Sequence, residues 1–293
     1  MVRPSVAALA VFSAKALGVS LAQVLFQDSF NTSASLSNNW IFDLGHNYVD
    51  PEDSSYTGPD NWGTGEIQSC TDASQNVEAD NGLFITPLKT KSREWTSSRI
   101  ETKDTFEPVE GAKMRFEFVF TLFDENTKFM KGIWPAIWMM SAEYREADQG
   151  YQTGGKYWNW PTVGEIDVME NINGEDGIYN AVHSTDLHAA SEPPTTFVRG
   201  VEHTITLDID RFSEVESITW CLDGVKTFEV LESASVFEGG QYASWEALAH
   251  APKFIILDVA VGGSWAGAPT GRTRGGPNAG MVVHSVEVSQ SLV

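Results

Sequence analysis

Glu165, Asp167 and Glu170 set three carboxylates within six residues of an otherwise apolar, strand-like run, Val163-Gly164-Glu165-Ile166-Asp167-Val168-Met169-Glu170-Asn171-Ile172. Acids are poor strand formers, and crowding them makes each harder to ionise. Strand alternation puts Glu165, Asp167 and Met169 on one face and Glu170 on the other. One β-bulge, with Met169 as the inserted residue, would bring Glu170 round to join Glu165 and Asp167. Retaining glycoside hydrolysis needs such a pair, one carboxyl ionised and one protonated, about 5–5.5 Å apart. An acid between them could orient the nucleophile and, by its charge, keep a proton on its neighbour. A proton shared among crowded acids predicts an acidic pH optimum. Two other readings fit the same spacing: a solvated acidic strand and a calcium site. Calcium sites, however, usually draw on flexible loops and carbonyl oxygens.

A carbohydrate cleft also needs aromatic platforms against which the C–H faces of sugar rings can pack. The chain has 10 tryptophans. Most are expected in the core, but Trp134 and Trp138 lie four residues apart on one face of the strand-like run Gly132–Met140.

The elements that must position these residues read as strands and turns nearly throughout. Met114–Phe120 and Thr204–Asp210 alternate, and Phe254–Val261 reads as a strand buried on both faces. Asn81-Gly82 and Asp223-Gly224 are hairpin signals. The one helix expected is short, around Ala243–His250, and Glu143–Thr162 reads as a long loop. Many short strands without βα alternation predict an all-β fold, a sandwich or barrel, in a single domain over 23–293.

Residues 1–22 read as a secretory signal peptide. Arg3 precedes an apolar core at Val6–Phe12, and Ser20-Leu21-Ala22 places small residues at a cleavage site. An extracellular protein is therefore expected, and no later stretch is long and apolar enough to span a bilayer. The net charge of −21 repels nucleic acid and anionic membranes. In an oxidising compartment the two cysteines, Cys70 and Cys221, make a single disulfide the natural guess, with geometry deciding it.

Beyond these readings, Gly164–Glu170 resembles the Glu-x-Asp-x-x-Glu signature of glycoside hydrolase family 16, in the bulged form of its laminarinase (endo-β-1,3-glucanase) branch. Trp62–Gln68, Thr96–Ile100, Trp134–Met139, Trp160-Pro161, Val182-His183 and Ala260–Gly267 resemble further family blocks, in family order. The resemblance implies a two-sheet jelly roll of the concanavalin A-like kind with a concave substrate cleft. It implies Glu165 as nucleophile, Asp167 as its assistant, Glu170 as acid and base, and Arg99, Trp134, Trp138, His183 and Trp265 as substrate contacts. The substrate would be a β-1,3 or mixed-linkage glucan, cut with retention by a monomer without cofactor. Related branches act on β-1,3-galactan or transfer wall glycans, and a lectin on the same sandwich is the reading outside catalysis. An acid near the C-terminus often serves a structural calcium in the family. His284 stands in that strand here, so no metal is expected.

Overall fold

The computed structural model describes residues 22–50, 54, 57–146, 157–232 and 242–292. The predicted signal segment therefore lies outside the described residues, apart from Ala22, as does the middle of the predicted 143–162 loop. Strands are numbered in chain order.

Two eight-stranded antiparallel sheets face one another, as the all-β expectation requires. The back sheet runs β17 (Val225–Leu231), β16 (Ser217–Leu222), β15 (His203–Asp210), β9 (Ala112–Leu122), β19 (Met281–Leu292), β5 (Leu83–Ile85), β4 (Val77–Ala79), with β1 (Gln23–Asp28) also on β19. The cleft sheet runs β13 (His188–Ala190), β12 (Gly177–His183), β11 (Glu165–Glu170), β10 (Ile133–Ser141), β18 (Lys253–Val261), β8 (Arg99–Thr102), β2 (Trp40–Phe42), with β14 (Thr195–Thr196) on β12. A small third sheet joins β3 (Gln68–Cys70), β7 (Trp95–Ser97) and β6 (Leu88–Lys89). The architecture is a jelly-roll sandwich, open rather than closed into a barrel.

Alternation builds the core between the sheets. Phe116, Phe118 and Phe120 of β9 point inward, fully buried, as do Ile133, Ile137 and Met139 of β10. Each such side chain contributes about 1.5–3 kcal/mol on burial. Strand β18 is buried along its whole length, as predicted. Its Ile255, Leu257 and Val259 enter the main core. Phe254 and Ile256, on the other face, join Tyr48, Trp62, Met140, Tyr144 and Tyr157 in a second apolar cluster. The first cluster holds the sheets together, and the second shapes the cleft.

Both predicted hairpins form, β4–β5 at Asn81-Gly82 and β16–β17 at Asp223-Gly224. Both residues of each turn have positive φ, the requirement that favours Asn/Asp-Gly there. The predicted helix is an α-turn, Tyr242–Trp245, running into a π-turn, Glu246–His250. It is not the only helix: Ser33–Asn39 is helical too, and Glu143–Glu146 makes one turn. Ser33–Asn39 buries only Leu36, so its sequence carries no apolar period to read.

The disulfide guess is corrected, since both cysteines are free. Cys70 belongs to the cluster on the cleft side. On β16, Ile218, Trp220 and Leu222 are buried, so alternation sends Cys221 to the outer face of the back sheet. The sandwich stands between the two sulfurs. Among the described residues no helix is long and apolar enough to cross a membrane.

Candidate active site

The acidic run forms β11, held between β10 and β12. Gly164 leads into it with φ +83°, and a Cβ there would come 2.5 Å from the Ala247 carbonyl. Glycine thus lets the 242–250 helix press against the head of the strand.

The predicted bulge is present, with a different residue inserted. Along β10, Ala136, Ile137 and Trp138 pair with Glu170, Met169 and Asp167, which leaves Val168 without a partner. Along β12, Asp167 faces Ala181 and Glu170 faces Tyr179, so Val168 and Met169 together oppose Asn180. Val168, not Met169, is the extra residue of the β10 ladder, because Met169 keeps its partner Ile137. Both side chains are fully buried in the core. Two successive residues therefore point inward, and Glu170 returns to the face of Glu165 and Asp167.

A bulge breaks ladder hydrogen bonds, and two side chains replace them. Trp220 Nε1 donates across the core to the Asp167 carbonyl at 3.0 Å, and Asn180 Nδ2 to the Val168 carbonyl at 2.7 Å. A buried carbonyl left unpaired would cost about 1–3 kcal/mol.

The three acids line one cleft of about 430 Å³. Each glutamate sits under an indole N–H: Trp160 Nε1 donates to Glu165 Oε2 at 3.1 Å, and Trp134 Nε1 to Glu170 Oε1 at 3.0 Å. His183 Nε2 lies 3.3 Å from Asp167 Oδ2 and 3.9 Å from Glu165 Oε1. The Asp167 contact is an ion pair without hydrogen-bond alignment, and Oδ2 has no hydrogen-bond partner.

Burial is the largest cause of a raised pKa in all three acids. Glu165 is pushed up to about 8 by burial and then by Asp167, against His183, the Trp160 N–H and Arg99. Glu170 is pushed well above the usual carboxylate range by burial, Asp167 and Glu165, with only the Trp134 N–H opposing. The cationic partners gather at Glu165, which favours Glu165 over Glu170 as the anion. Asp167 rises through burial, against His183. His183 itself is raised to about 9: burial would lower it, but Asp167 and Glu165 outweigh that. Like-charge crowding, the basis of the expected acidic optimum, comes second to burial at both glutamates.

Of the predicted substrate contacts, Trp134, Trp138 and Arg99 line the cleft. Trp265 packs edge-on against Trp134 at 5.4 Å, with Tyr179 edge-on to it at 4.9 Å. Gly263 permits this, since a Cβ there would lie 2.9 Å from the Trp134 ring. His183 sits beside the acids rather than out along the cleft. Arg99 is only 3% exposed: its guanidinium lies 4.6 Å from the Tyr48, Trp62 and Trp138 rings, donates to the Tyr48 hydroxyl and pairs with Asp43 at 3.4 Å. It reaches the wall as a buried strut of the aromatic cluster.

Some cleft residues were missed from the sequence. Asp258 of β18 lines the cleft opposite Ala136, accepts from Trp138 Nε1 at 3.0 Å, and is raised by burial to about 7 against the pull of Arg99. An acid inside an apolar run was its signal, the same as for β11. Glu66 sits in the wall, held by Thr64 Oγ1 at 2.7 Å and Gln68 Nε2 at 2.6 Å. Trp160 and Tyr144 arrive from the 143–164 segment, where no spacing announces a site. In the C-terminal strand, where no metal was expected, His284 Nε2 lies 2.9 Å from Thr121 Oγ1.

This arrangement has relatives. An endo-1,3-beta-glucanase from Streptomyces sioyaensis has a crystal structure that superposes with a TM-score of 0.77, at 34% identity over 95% of this chain and 99% of that one. The chain belongs to glycoside hydrolase family 16. Its similarity extends to a beta-glucanase of Rhodothermus marinus, 28% identical over 232 residues that cover 74% of this chain and 72% of that one. Glucan endo-1,3-beta-glucosidase A1 of Niallia circulans is 25% identical over 90% of this chain. The chain spans about a third, 36%, of that relative's length. No protein-family model matches the chain.

Proposed function

We propose that this family 16 chain is a secreted endo-glucanase that cleaves internal β-1,3 bonds of glucan, mixed-linkage glucan included, by double displacement with retention. The observation that carries this is the bulge: it sets two glutamates on one face of β11, each beneath an indole N–H, with cationic partners at one and not the other.

Glu165, favoured as the anion, attacks the anomeric carbon while Glu170 gives its proton to the departing glycosidic oxygen. The bond from sugar to leaving oxygen breaks as the bond to the Glu165 carboxylate forms. Water then attacks the glycosyl–enzyme ester, Glu170 takes its proton, and Glu165 leaves as carboxylate. Two inversions give net retention. Asp167 holds His183 beside Glu165, so positive charge faces the anion in the resting site. Trp134, buttressed by Trp265 and Tyr179, and Trp138, stacked on Arg99, supply the sugar platforms. The β-1,3 preference is supported by similarity to an endo-1,3-beta-glucanase and a glucan endo-1,3-beta-glucosidase.

The test is reducing-sugar release from laminarin, lichenan and β-1,3-galactan, with anomeric NMR of the first products. Laminarin cleaved to β-configured ends is the expected result. An α-configured first product would overturn the mechanism, and activity confined to galactan would overturn the substrate.

A further inference from the structure

We propose that His183, Asp167 and Glu165 form a binding site for a borderline divalent transition-metal ion such as Zn²⁺, and that the ion occupying it shuts off the cleft. The three residues come from adjacent strands, β11 and β12, where Glu165 and His183 are cross-strand partners. Each offers one ligating atom, and the three atoms lie within 4.8 Å of one another.

Two of the three ligand spacings are close to what zinc needs. Ligands at the usual ~2.0–2.1 Å from zinc, arranged tetrahedrally, are about 3.4 Å apart. His183 Nε2 and Asp167 Oδ2 are already 3.3 Å apart, and Nε2 and Glu165 Oε1 are 3.9 Å apart. The third edge, between the Glu165 and Asp167 oxygens, is within 4.8 Å, so closing the set asks the Glu165 carboxyl to turn inward. One imidazole with two carboxylates is a donor set for zinc or copper rather than for calcium or magnesium, which favour all-oxygen shells.

Two further observations point to a ligand here. Asp167 Oδ2 is buried, faces the cluster and meets His183 Nε2 at 3.3 Å without accepting an aligned hydrogen bond. His183 has its other ring nitrogen already engaged: Nδ1 lies 3.2 Å from His188 Nδ1 on β13. With that contact made as Nδ1–H donating to His188, Nε2 faces the acids, and a metal ion would take the place of the proton it carries there. This is the supported, single-tautomer histidine that metal sites use. The fourth coordination position opens on the cleft, which leaves room for water or a sugar hydroxyl. A bound ion would hold the Glu165 carboxylate that attacks the sugar.

Inhibition rests on the glycosidase reading above; metal binding does not. The experiment titrates ZnCl₂ by calorimetry into the tag-free wild-type chain, His183→Gln and His188→Ala, each checked for folding by circular dichroism. Laminarin hydrolysis by the wild type is followed in parallel at the same zinc concentrations, with CaCl₂ as the control. Wild type is expected to bind one zinc saturably, His183→Gln to lose that binding, and His188→Ala to weaken it by about 10–100-fold. Hydrolysis should fall with zinc occupancy and stay unaffected by calcium. Zinc binding that is absent, or unchanged in His183→Gln, overturns the site. Full hydrolysis at saturating zinc overturns the shut-off. A chain that binds zinc with the expected variant pattern but cleaves no glycan keeps the site and refutes the glycosidase reading instead.

Discussion

The two sheets present the same kinds of side chain in opposite circumstances. On the back sheet, acids are paired and wet: Arg115 meets Asp208 at 2.7 Å, Lys113 meets Asp210 at 2.6 Å, and both cations are about half exposed. On the cleft sheet, Asp167, Glu170 and Asp258 are less than a tenth exposed, and an oxygen of Asp167 has no hydrogen bond. The titration follows the setting. Asp210 feels some burial, but Lys113, the Ser213 hydroxyl and two backbone N–H groups hold it down to about 2. Glu165 is pushed up to about 8. Both sheets alternate and both carry acids, so what separates a solvated face from a reactive one is burial with incomplete pairing. That state costs stability and supplies chemistry.

Replacing the cleft acids should break the contrast most severely. Glu165→Gln removes the attacking oxygen and should abolish measurable turnover on laminarin. Glu170→Gln removes acid–base assistance and should lower kcat by about 10²–10⁴-fold. Equivalent losses from Asp208→Asn on the back sheet would erase the distinction drawn between the faces.

Next in size is the bulge itself. Asn180→Ala strips the donor from the Val168 carbonyl and should cost about 1–3 kcal/mol in urea unfolding, with a fall in kcat as Glu170 loses its seat. Unchanged kcat in a destabilised Asn180→Ala would mean that the bulge holds without its side-chain support.

The two sheets should also respond to pH with opposite sign. Glu165 has its folded pKa raised from 4.5 to about 8, so the native state binds the extra proton between those values and stability falls as pH rises through them. Glu165→Gln should therefore raise Tm relative to wild type above pH 8 and lose that gain below pH 4. Asp210 has its folded pKa lowered from 3.8 to about 2, so its contribution is present above 3.8 and vanishes as pH falls through about 2. Asp210→Asn should lower Tm at neutral pH and leave it unchanged near pH 2. Thermal scans of both variants across pH would show the crossing; parallel shifts would contradict it. The smallest effect belongs to Arg115→Ala, an exposed pair expected to cost less than about 1 kcal/mol in urea melts.

Much of both sheets was legible from local rules, and the site was legible because two rules collide in β11. Alternation in β9 and β15, Asn-Gly and Asp-Gly turns, and an apolar run at β18 follow from local chemistry. The three acids violated alternation, and that violation announced a bulge and a site. The identity of the extra residue was not legible, since Val168 and Met169 are both apolar and both buried. Only the β10 register distinguishes them, and Trp220 and Asn180, which satisfy the bulge, come from other strands. Asp258 was hidden because a lone acid in an apolar run reads as core until its neighbours Trp138 and Ala136 are seen. Trp160 comes from a loop, where no period marks which face a side chain takes. The free cysteines have the same origin, because the sandwich that separates them is assembled from distant strands.

The central claim is that one bulge gives two glutamates of the same strand different roles. Azide rescue tests it most directly. On an activated β-glucoside of laminaribiose, Glu165→Ala with azide should form the α-glycosyl azide, because azide replaces the missing nucleophile in a single inversion. Glu170→Ala with azide should form the β-glycosyl azide, because Glu165 still attacks first and azide intercepts the ester. The reverse pattern, or the same azide from both variants, would contradict the assignment.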